Sequence, residues 1–254
     1  MATLRKPFQG ITNIIRFNWH FYFAAATLMI FLFWAQYKLP APFNALIKIV
    51  LIGTFFIILI SLLISYYVYD MSNLYSFNWL PDLGIHNNSK IINIHAGFDE
   101  SSEILKDLYP NASMVVFDFY DPEKHTEPSI KRARKAYPSY PGTKSVSTTS
   151  LPLNNIKVDC IFLTLAAHEI RDDAERTIFF TDLKQALKPG GKLVITEHLR
   201  DLPNFLAYTI GFFHFHSKKT WLNTFRKSGF VISRELKITP FITSFILSEN
   251  GDTA

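Results

Sequence analysis

The sequence has little cysteine, little glycine and, near its N-terminus, little charge. Cys160 is the only cysteine among 254 residues, and it lies in an apolar run. An intrachain disulfide is therefore excluded, and a reducing compartment fits the chain. Only 10 glycines are present, and no G-x-G-x-x-G follows a strand-like segment. The missing glycine pattern argues against a nicotinamide-dependent reductase.

Charge is absent from two long apolar runs. Residues 20–37 carry no formal charge apart from one possible on His20, and residues 49–69 are uncharged. A helix of ~20 apolar residues crosses ~30 Å of hydrocarbon, and tyrosine and tryptophan cluster at the ends of both runs. We therefore predict a membrane anchor at residues 1–70, with two transmembrane helices at about 20–37 and 49–69. A buried core helix is the alternative. A signal peptide fits poorly, because a second apolar run follows without a small-residue cleavage site.

The predicted orientation in the membrane starts from the even number of spans. Two spans leave the N-terminus and the long C-terminal part on the same side of the membrane, and we expect that side to be the cytoplasm. The predicted location is therefore the cytoplasmic (inner) membrane, as a multi-pass protein. The basic run at residues 131–135 is either a solvated helix face or a contact for anionic lipid headgroups, and no nucleic acid is expected as a partner.

The C-terminal part alternates between strand-like and helical patterns. A polar connection at residues 71–89 contains Pro81 and Gly84, and a domain at residues 90–254 follows it. Strands are predicted at residues 90–95, 114–118, 144–148, 158–165 and 192–196, with two more before the C-terminus. Strands that alternate with helices predict an α/β fold, a Rossmann-like, doubly wound and mostly parallel seven-stranded sheet.

The segment VDCIFLTLAAHEIRDDAERTIFFTDLKQALKPGGKLVITEH carries a specific pattern. An apolar strand is followed by a helix ending in L-K-P-G-G-K-L and by a strand ending in an acid. In this order and spacing, the segment resembles the second half of class I S-adenosylmethionine-dependent methyltransferases, and the resemblance extends over about residues 85–247. It implies S-adenosyl-L-methionine as the cofactor.

The resemblance also implies a set of cofactor-binding residues. The turn IHAGFDE looks like the family's cofactor loop, although His95 and Asp99 stand where two glycines are usual. Asp118 matches the acid that holds the cofactor ribose, while hydroxyls at residues 147 and 148 replace an acid that often reads the adenine amine. The expected cofactor-binding residues are His95, Ala96, Gly97, Asp118, Phe119, Ser147, Thr148 and Leu165.

Three residues at strand ends are candidates for the chemistry. Ligands bind beyond the carboxyl ends of strands in open α/β sheets, and His168, Glu197 and His198 are predicted there. His168 is the first candidate for a proton acceptor, because imidazole titrates near neutral pH. The alternative is that all three are structural residues whose polar atoms are hydrogen-bonded within the protein. Glu197 with His198, His214 and His216 also suggests a metal, but the ligand spacing is not a recognised one, so no metal is expected.

Residues 202–215, LPNFLAYTIGFFHF, are strongly apolar. They are either a helix packed on the sheet or a cover for an apolar substrate beside the bilayer. The predicted function is S-adenosylmethionine-dependent methyl transfer to a hydrophobic small molecule or lipid at the cytoplasmic membrane face. The alternative is a membrane-anchored binding or scaffold protein with a decayed methyltransferase fold.

Overall fold

The computed structural model describes residues 5–153 and 156–249. Its centre is one seven-stranded sheet in the order β3-β2-β1-β4-β5-β7-β6. The strands are β1 (Lys90–His95), β2 (Ser113–Asp118), β3 (Lys144–Ser145), β4 (Val158–Thr164), β5 (Leu187–His198), β6 (Phe230–Thr239) and β7 (Ile242–Glu249). The first five strands pair in parallel, and β7 is antiparallel to both β5 and β6. The predicted fold class is confirmed.

The central strands consist of apolar residues that are buried on both faces. In β4, Cys160, Ile161, Phe162 and Leu163 are all inaccessible to solvent. A continuous apolar run of this kind is typical of a parallel strand covered by helices on both sides. The carboxyl ends of β1, β2, β4 and β5 consequently meet at one edge of the sheet, where polar residues follow each strand.

Eight α-helices accompany the sheet among the described residues. They are α1 (Gln9–Phe17), α2 (Trp19–Ala35), α3 (Ala41–Tyr66), α4 (Ser102–Leu108), α5 (Pro128–Ala136), α6 (Asp173–Ala186), α7 (Leu202–Tyr208) and α8 (Lys218–Lys227). A 3₁₀ segment, Ala167–Glu169, follows β4, and another, Thr209–His214, follows α7. Residues 188–191, predicted as the turn that ends α6, instead lie within β5, with a register shift against β4.

The two apolar runs form helices α2 and α3. With their short extensions they cover Trp19–Lys38 and Ala41–Met71, with mean hydropathies of 1.2 and 2.8, and are long and apolar enough to cross a membrane. The share of each apolar window that is buried is 6% and 0%, so these side chains do not form a protein core. The outermost residues of the predicted anchor and of the predicted domain, 1–4 and 250–254, lie outside the described part of the chain.

Helix α1, which precedes the first apolar helix, packs on the C-terminal domain. Phe17 is buried with its ring edge-on to Phe98 and Tyr137, at centroid distances of 5.7 and 6.2 Å. The Tyr137 hydroxyl donates to Asn13 Oδ1 at 2.9 Å. Asp70, at the end of the second apolar helix, accepts hydrogen bonds from the first turn of α1. The region predicted as an anchor therefore also builds part of the domain's surface.

Candidate functional site

The turn after β1 is shaped by the two residues that replace the usual glycines. Asp99 Oδ1 accepts from the backbone N–H groups of Ser101 and Ser102, so its carboxylate caps the start of α4. His95 Nδ1 accepts from the Gly97 N–H at 3.1 Å. Burial lowers the pKa of His95, although Asp99 and Asp118 oppose this, so the imidazole is neutral and available as an acceptor. His95 and Asp99 thus both stabilise a tight turn.

Gly97 is the residue of this turn that cannot carry a side chain. Its φ is +94°, and an added Cβ would lie 3.0 Å from the Tyr120 ring and 3.1 Å from the Arg134 guanidinium. L-residues rarely adopt this backbone conformation, and the space beside it is already filled. The turn therefore presents bare backbone towards Tyr120 and Arg134 at the end of β2, and a ligand that displaced Arg134 would meet that backbone.

Asp118, the last residue of β2, is buried beside this turn. Its Oδ1 accepts from the Tyr120 N–H at 2.9 Å, and its Oδ2 accepts a short hydrogen bond from Arg134 Nη1. The Arg134 guanidinium also lies over the Tyr120 ring, 4.3 Å from its centroid. A ribose that binds Asp118 has to displace Arg134, which is partly exposed on α5.

A cleft at the ends of β2 and β3 contains the other predicted nucleoside contacts. Phe119, Ser147 and Thr148 all line it, although the Phe119 side chain is 2% exposed and packs into the core. The Thr148 hydroxyl donates to Glu175 Oε1, which Lys124 also contacts at 2.7 Å. Glu175 therefore supplies an acid in the region where the sequence lacks one.

A second cavity, of about 290 Å³, lies at the ends of β1, β4 and β5. Ala96 and Leu165 line it from the cofactor side, and Leu165 has a φ of +51°, which is unusual for a residue with a side chain. Its opposite wall comes from α1. The polar groups that line it are Asn13, Asn18, Tyr69, Tyr75, Glu100, Ser101, Glu127, Ser129, Thr164, His168, Glu169, His198 and His214.

His168 and Glu197 are brought together at this cavity. Glu197 is fully buried at the end of β5, and its Oε2 lies 2.6 Å from His168 Nδ1. Its Oε1 accepts from the His168 N–H at 3.1 Å. Burial alone would lower the pKa of His168, but the carboxylates of Glu197 and Glu169 raise that pKa to about 10. The imidazole thus carries a proton at neutral pH, and its predicted proton-accepting role stays a prediction.

His198 lines the same cavity but has both ring nitrogens engaged. Its Nε2 lies 2.8 Å from the Tyr69 hydroxyl, and its Nδ1 lies 2.9 Å from Asn204 Oδ1. The ring stacks on Phe215 at a centroid distance of 4.6 Å. Burial lowers the pKa of His198 to about 4. These contacts fix the ring as a neutral part of the wall, and leave no nitrogen free for a reacting proton.

Three contributions to this cavity and to the cleft at the ends of β2 and β3 are not apparent in the sequence patterns. The first is α1, which precedes both apolar helices in the chain and yet lines a cavity of the C-terminal domain. The second is the pairing of His214 with Glu169, in which His214 Nε2 lies 3.2 Å from Glu169 Oε1. The third is Glu175. Of these, only Glu175 has a local signal, because Asp172 caps α6 by accepting from the Glu175 N–H at 2.7 Å, as in a capping box.

Comparison with known proteins identifies the class of this domain. Residues 100–195 match the family described as "Methyltransferase domain". No curated protein matches the chain significantly. Among solved structures, the pyocyanin biosynthetic protein PhzM is 12% identical with a TM-score of 0.51, over 74% of this chain and 58% of that one. A family 2 O-methyltransferase from Planctomyces limnophilus, in complex with apigenin, has the same identity and TM-score over 76% and 61%.

A methyltransferase from Clostridium acetobutylicum is 11% identical with a TM-score of 0.49, over 67% of this chain and 87% of that one. At these identities the two structures with a TM-score of 0.51 show a shared fold, and the family match at residues 100–195 supports the enzyme class. The family match over residues 100–195 and the shared fold support the predicted class, an S-adenosylmethionine-dependent methyltransferase with S-adenosyl-L-methionine as the cofactor.

The residues present fit this cofactor. Gly97 and the buried Asp118 adjoin residues that line two open spaces, because Ala96 and Phe98 line the cavity at β1, β4 and β5, and Phe119 and Tyr120 line the cleft at β2 and β3. Asp118 would hold the ribose, residues 147 and 148 with Glu175 would line the adenine side, and Ala96 and Leu165 would face the methionine side. The individual contacts of the predicted site residues remain predictions.

Proposed function

We propose that this enzyme methylates a hydrophobic small molecule or lipid that enters the cavity from the membrane. The observation that carries the proposal is the position of α1, which leads into the first apolar helix and at the same time forms a wall of the cavity. Ile14 and Phe17 of α1 line this wall together with Phe98, Leu165 and Phe215. An apolar wall of this kind favours an apolar acceptor.

The surface around the cavity supports an approach from the bilayer. The segment from α7 to His214 exposes large apolar side chains beside α3. They are Leu202, Phe205, Leu206, Ile210 and Phe213. A water-soluble surface seldom exposes such a run, whereas a segment lying against lipid does so at no cost. Of this segment, only His214 and the adjoining Phe215 line the cavity. The predicted cover over the substrate is therefore restricted to these two residues.

The proposed topology follows from the two apolar helices. Helices α2 and α3 form a transmembrane hairpin, and the methyltransferase domain lies at the cytoplasmic face of the inner membrane. Because α1 and Asp70 bond to each other at the two ends of the hairpin, the domain is attached to the membrane at both points. This topology predicts that the full chain remains in the membrane pellet after washing at high salt and at alkaline pH.

Within the cavity, the chain's own groups bind and orient the acceptor. The cofactor supplies a methyl group on a sulfonium, which is transferred in line to the acceptor, so alignment provides most of the rate. His168 is held by Glu197 and faces the cavity. Asn13 is 6% exposed, and its Nδ2 has no hydrogen-bond partner among the described residues. Both groups are placed to bind a polar atom on an otherwise apolar acceptor.

The test is methyl transfer in a defined membrane. The full chain is reconstituted in nanodiscs containing a lipid extract of the source cells, and tritium from methyl-labelled S-adenosylmethionine is followed. The proposal expects label in the organic-extractable fraction, and less of it with Asp118→Ala. Label that appears only when a water-soluble metabolite extract is supplied would contradict a membrane-derived acceptor.

The alternative function is a binding or scaffold protein that no longer catalyses. The Arg134 side chain on Asp118 is the observation that favours it, because that contact blocks the ribose-binding carboxylate. Saturable binding of S-adenosylhomocysteine together with no methyl transfer to either extract would support this alternative.

A further inference from the structure

One cluster beside the cavity has the composition of a metal centre. His168, Glu169 and His214 each offer one ligand atom, and these atoms all lie within 4.8 Å of one another. Glu169 Oε1 is 3.5 Å from His168 Nε2 and 3.2 Å from His214 Nε2. Ligand atoms bound at ~2.0–2.1 Å to a tetrahedral ion are roughly 3.4 Å apart, so the two distances from Glu169 Oε1 match the spacing around a bound cation.

We propose that His168, Glu169 and His214 form a binding site for a divalent first-row transition metal, with zinc as the expected occupant. Two imidazoles and one carboxylate are a ligand set that zinc favours, and three protein ligands leave its fourth position open. This ligand set differs from the one that the sequence suggested, which was Glu197 with His198, His214 and His216. His198 has both nitrogens engaged, and the His216 side chain bonds to Ile170 O and Arg176 instead.

The hydrogen bonds behind the cluster support this assignment. A carboxylate can only accept, so His168 Nδ1 donates to Glu197 Oε2, and a cation that displaces the proton on Nε2 would bind the lone pair on the side that faces Glu169. A buried carboxylate that holds the distal nitrogen is the usual partner of a metal-bound histidine. Two carboxylates, Glu169 and Glu197, then surround the position with negative charge that favours a cation.

One contact of His214, with Arg171, disfavours cation binding and can be tested by substitution. Arg171 Nη2 lies 2.6 Å from His214 Nδ1, and an arginine always donates, so the His214 proton sits on Nε2 in this state. Glu127 Oε1 lies 3.4 Å from the same Nδ1. To bind a cation through Nε2, His214 must carry its proton on Nδ1 instead. Arg171 then has to leave Nδ1, and Glu127 can accept the Nδ1 proton. Arg171 is exposed, so it can withdraw into solvent.

All three ligand residues line the cavity, so the open metal position faces it. A cation there would polarise an oxygen of the methyl acceptor and ease the loss of its proton. This consequence rests on the proposed function, whereas the binding of the metal does not. Metal binding is therefore measured without S-adenosylmethionine and without an acceptor, and its failure would leave the proposed methyl transfer untouched.

The experiment is calorimetric titration of the chelator-treated full chain in detergent, with any polyhistidine tag removed. We expect one Zn²⁺ per chain, and at least tenfold weaker binding in Glu169→Gln and in His214→Ala. Glu197→Gln should weaken it by roughly 10–100-fold, as loss of a histidine's distal carboxylate does. Arg171→Gln should strengthen it. His86→Ala and Glu235→Gln, which alter exposed residues outside the cluster, serve as matched controls and should bind zinc as the wild type does.

Thermal unfolding of each variant shows whether it is folded. If His214→Ala is unfolded, the zinc affinity of the near-isosteric Glu169→Gln tests the proposal. The proposal is overturned by a wild-type chain that takes up no zinc, or by a folded Glu169→Gln that binds zinc as tightly as the wild type. Equal affinity for Mg²⁺ and Zn²⁺ would also overturn it, because imidazole ligands discriminate strongly between the two ions.

Discussion

The cofactor half and the acceptor half of the cleft lie on the same strand ends but are built differently. In the cofactor half, at β1 to β3, the side chains of His95 and Asp99 bond mainly to nearby backbone and shape a turn. In the acceptor half, at β4 and β5, His168 and Glu197 bond across 29 residues of sequence, and α1 closes the wall. Local geometry thus shapes the turn of the cofactor half, whereas long-range packing makes the acceptor half.

This difference predicts how substitutions in each half should affect the enzyme. A turn built from adjacent residues leaves a pattern in the sequence, so substitutions in the cofactor half should affect cofactor binding alone. A network assembled from distant elements should respond to substitution through turnover and stability.

Gly97→Val should abolish measurable binding of S-adenosylhomocysteine. The added side chain meets Tyr120 and Arg134, and it also strains a backbone with φ of +94°. Gly142→Val is the matched control, because Gly142 has a φ of +79° and nothing within 4 Å of an added Cβ. Calorimetry should therefore show lost binding in the first variant and normal binding in the second. Similar affinities in the two variants would remove the turn from the cofactor site.

His168→Ala should lower methyl transfer by about 10²-fold or more, with the affinity for S-adenosylhomocysteine unchanged. His168 orients the acceptor side, and misplacement of a reactant by ~1 Å typically costs ~10²-fold. Tritium transfer to the lipid fraction measures turnover, and calorimetry measures cofactor binding. A parallel loss of both would show that the two halves are not separable at this residue.

His198 should make the folded domain sensitive to acid. Burial lowers its pKa from 6.5 to about 4, so between these values the unfolded chain binds a proton that the folded chain does not. Stability is therefore full above pH 6.5 and falls as the pH falls towards 4, by about 3 kcal/mol at ~1.4 kcal/mol per pKa unit. His198→Gln should be less stable at pH 7.5 but should show a flatter dependence of the unfolding temperature on pH. An unchanged slope would mean that the imidazole is solvated in the folded protein.

Asp118→Ala should weaken S-adenosylmethionine binding by ~1.5–3 kcal/mol for each hydrogen bond lost to the carboxylate. Asp118 is buried at the end of β2, where the ribose would take the place of Arg134 on its carboxylate. Asp159→Ala, at the opposite end of the sheet and paired with Lys188, is a suitable comparison. If both variants bind the cofactor as the wild type does, Asp118 does not hold the ribose.

Arg134→Gln should strengthen cofactor binding slightly, by a few-fold. The cofactor has to displace Arg134 from Asp118, and a partly exposed pair of this kind is typically worth ~0–1 kcal/mol. Lys131→Gln, on the same helix, removes an equal charge without touching the carboxylate. Weaker binding in Arg134→Gln alone would instead make Arg134 a ligand of the cofactor.

The sequence predicts the fold better than it predicts the site, for physical reasons that the two halves illustrate. Apolar runs such as residues 158–165 identify buried strands by composition alone, and the turn at Gly97 is visible because its atoms are adjacent in the chain. The pairing of His168 with Glu197 depends on both strand ends lying at one edge, so the sheet order predicts it only approximately. The approach of α1, the engagement of His198 by Tyr69, and the meeting of Glu169 with His214 depend on tertiary packing, and no local pattern encodes them.

The most direct measurement is calorimetric binding of S-adenosylhomocysteine to the detergent-solubilised full chain, with NADH as the competing ligand class. The cofactor site described here predicts saturable binding of one S-adenosylhomocysteine per chain and no heat from NADH. Binding of NADH, or of neither molecule by a folded chain, would contradict the assignment of this cleft to S-adenosylmethionine.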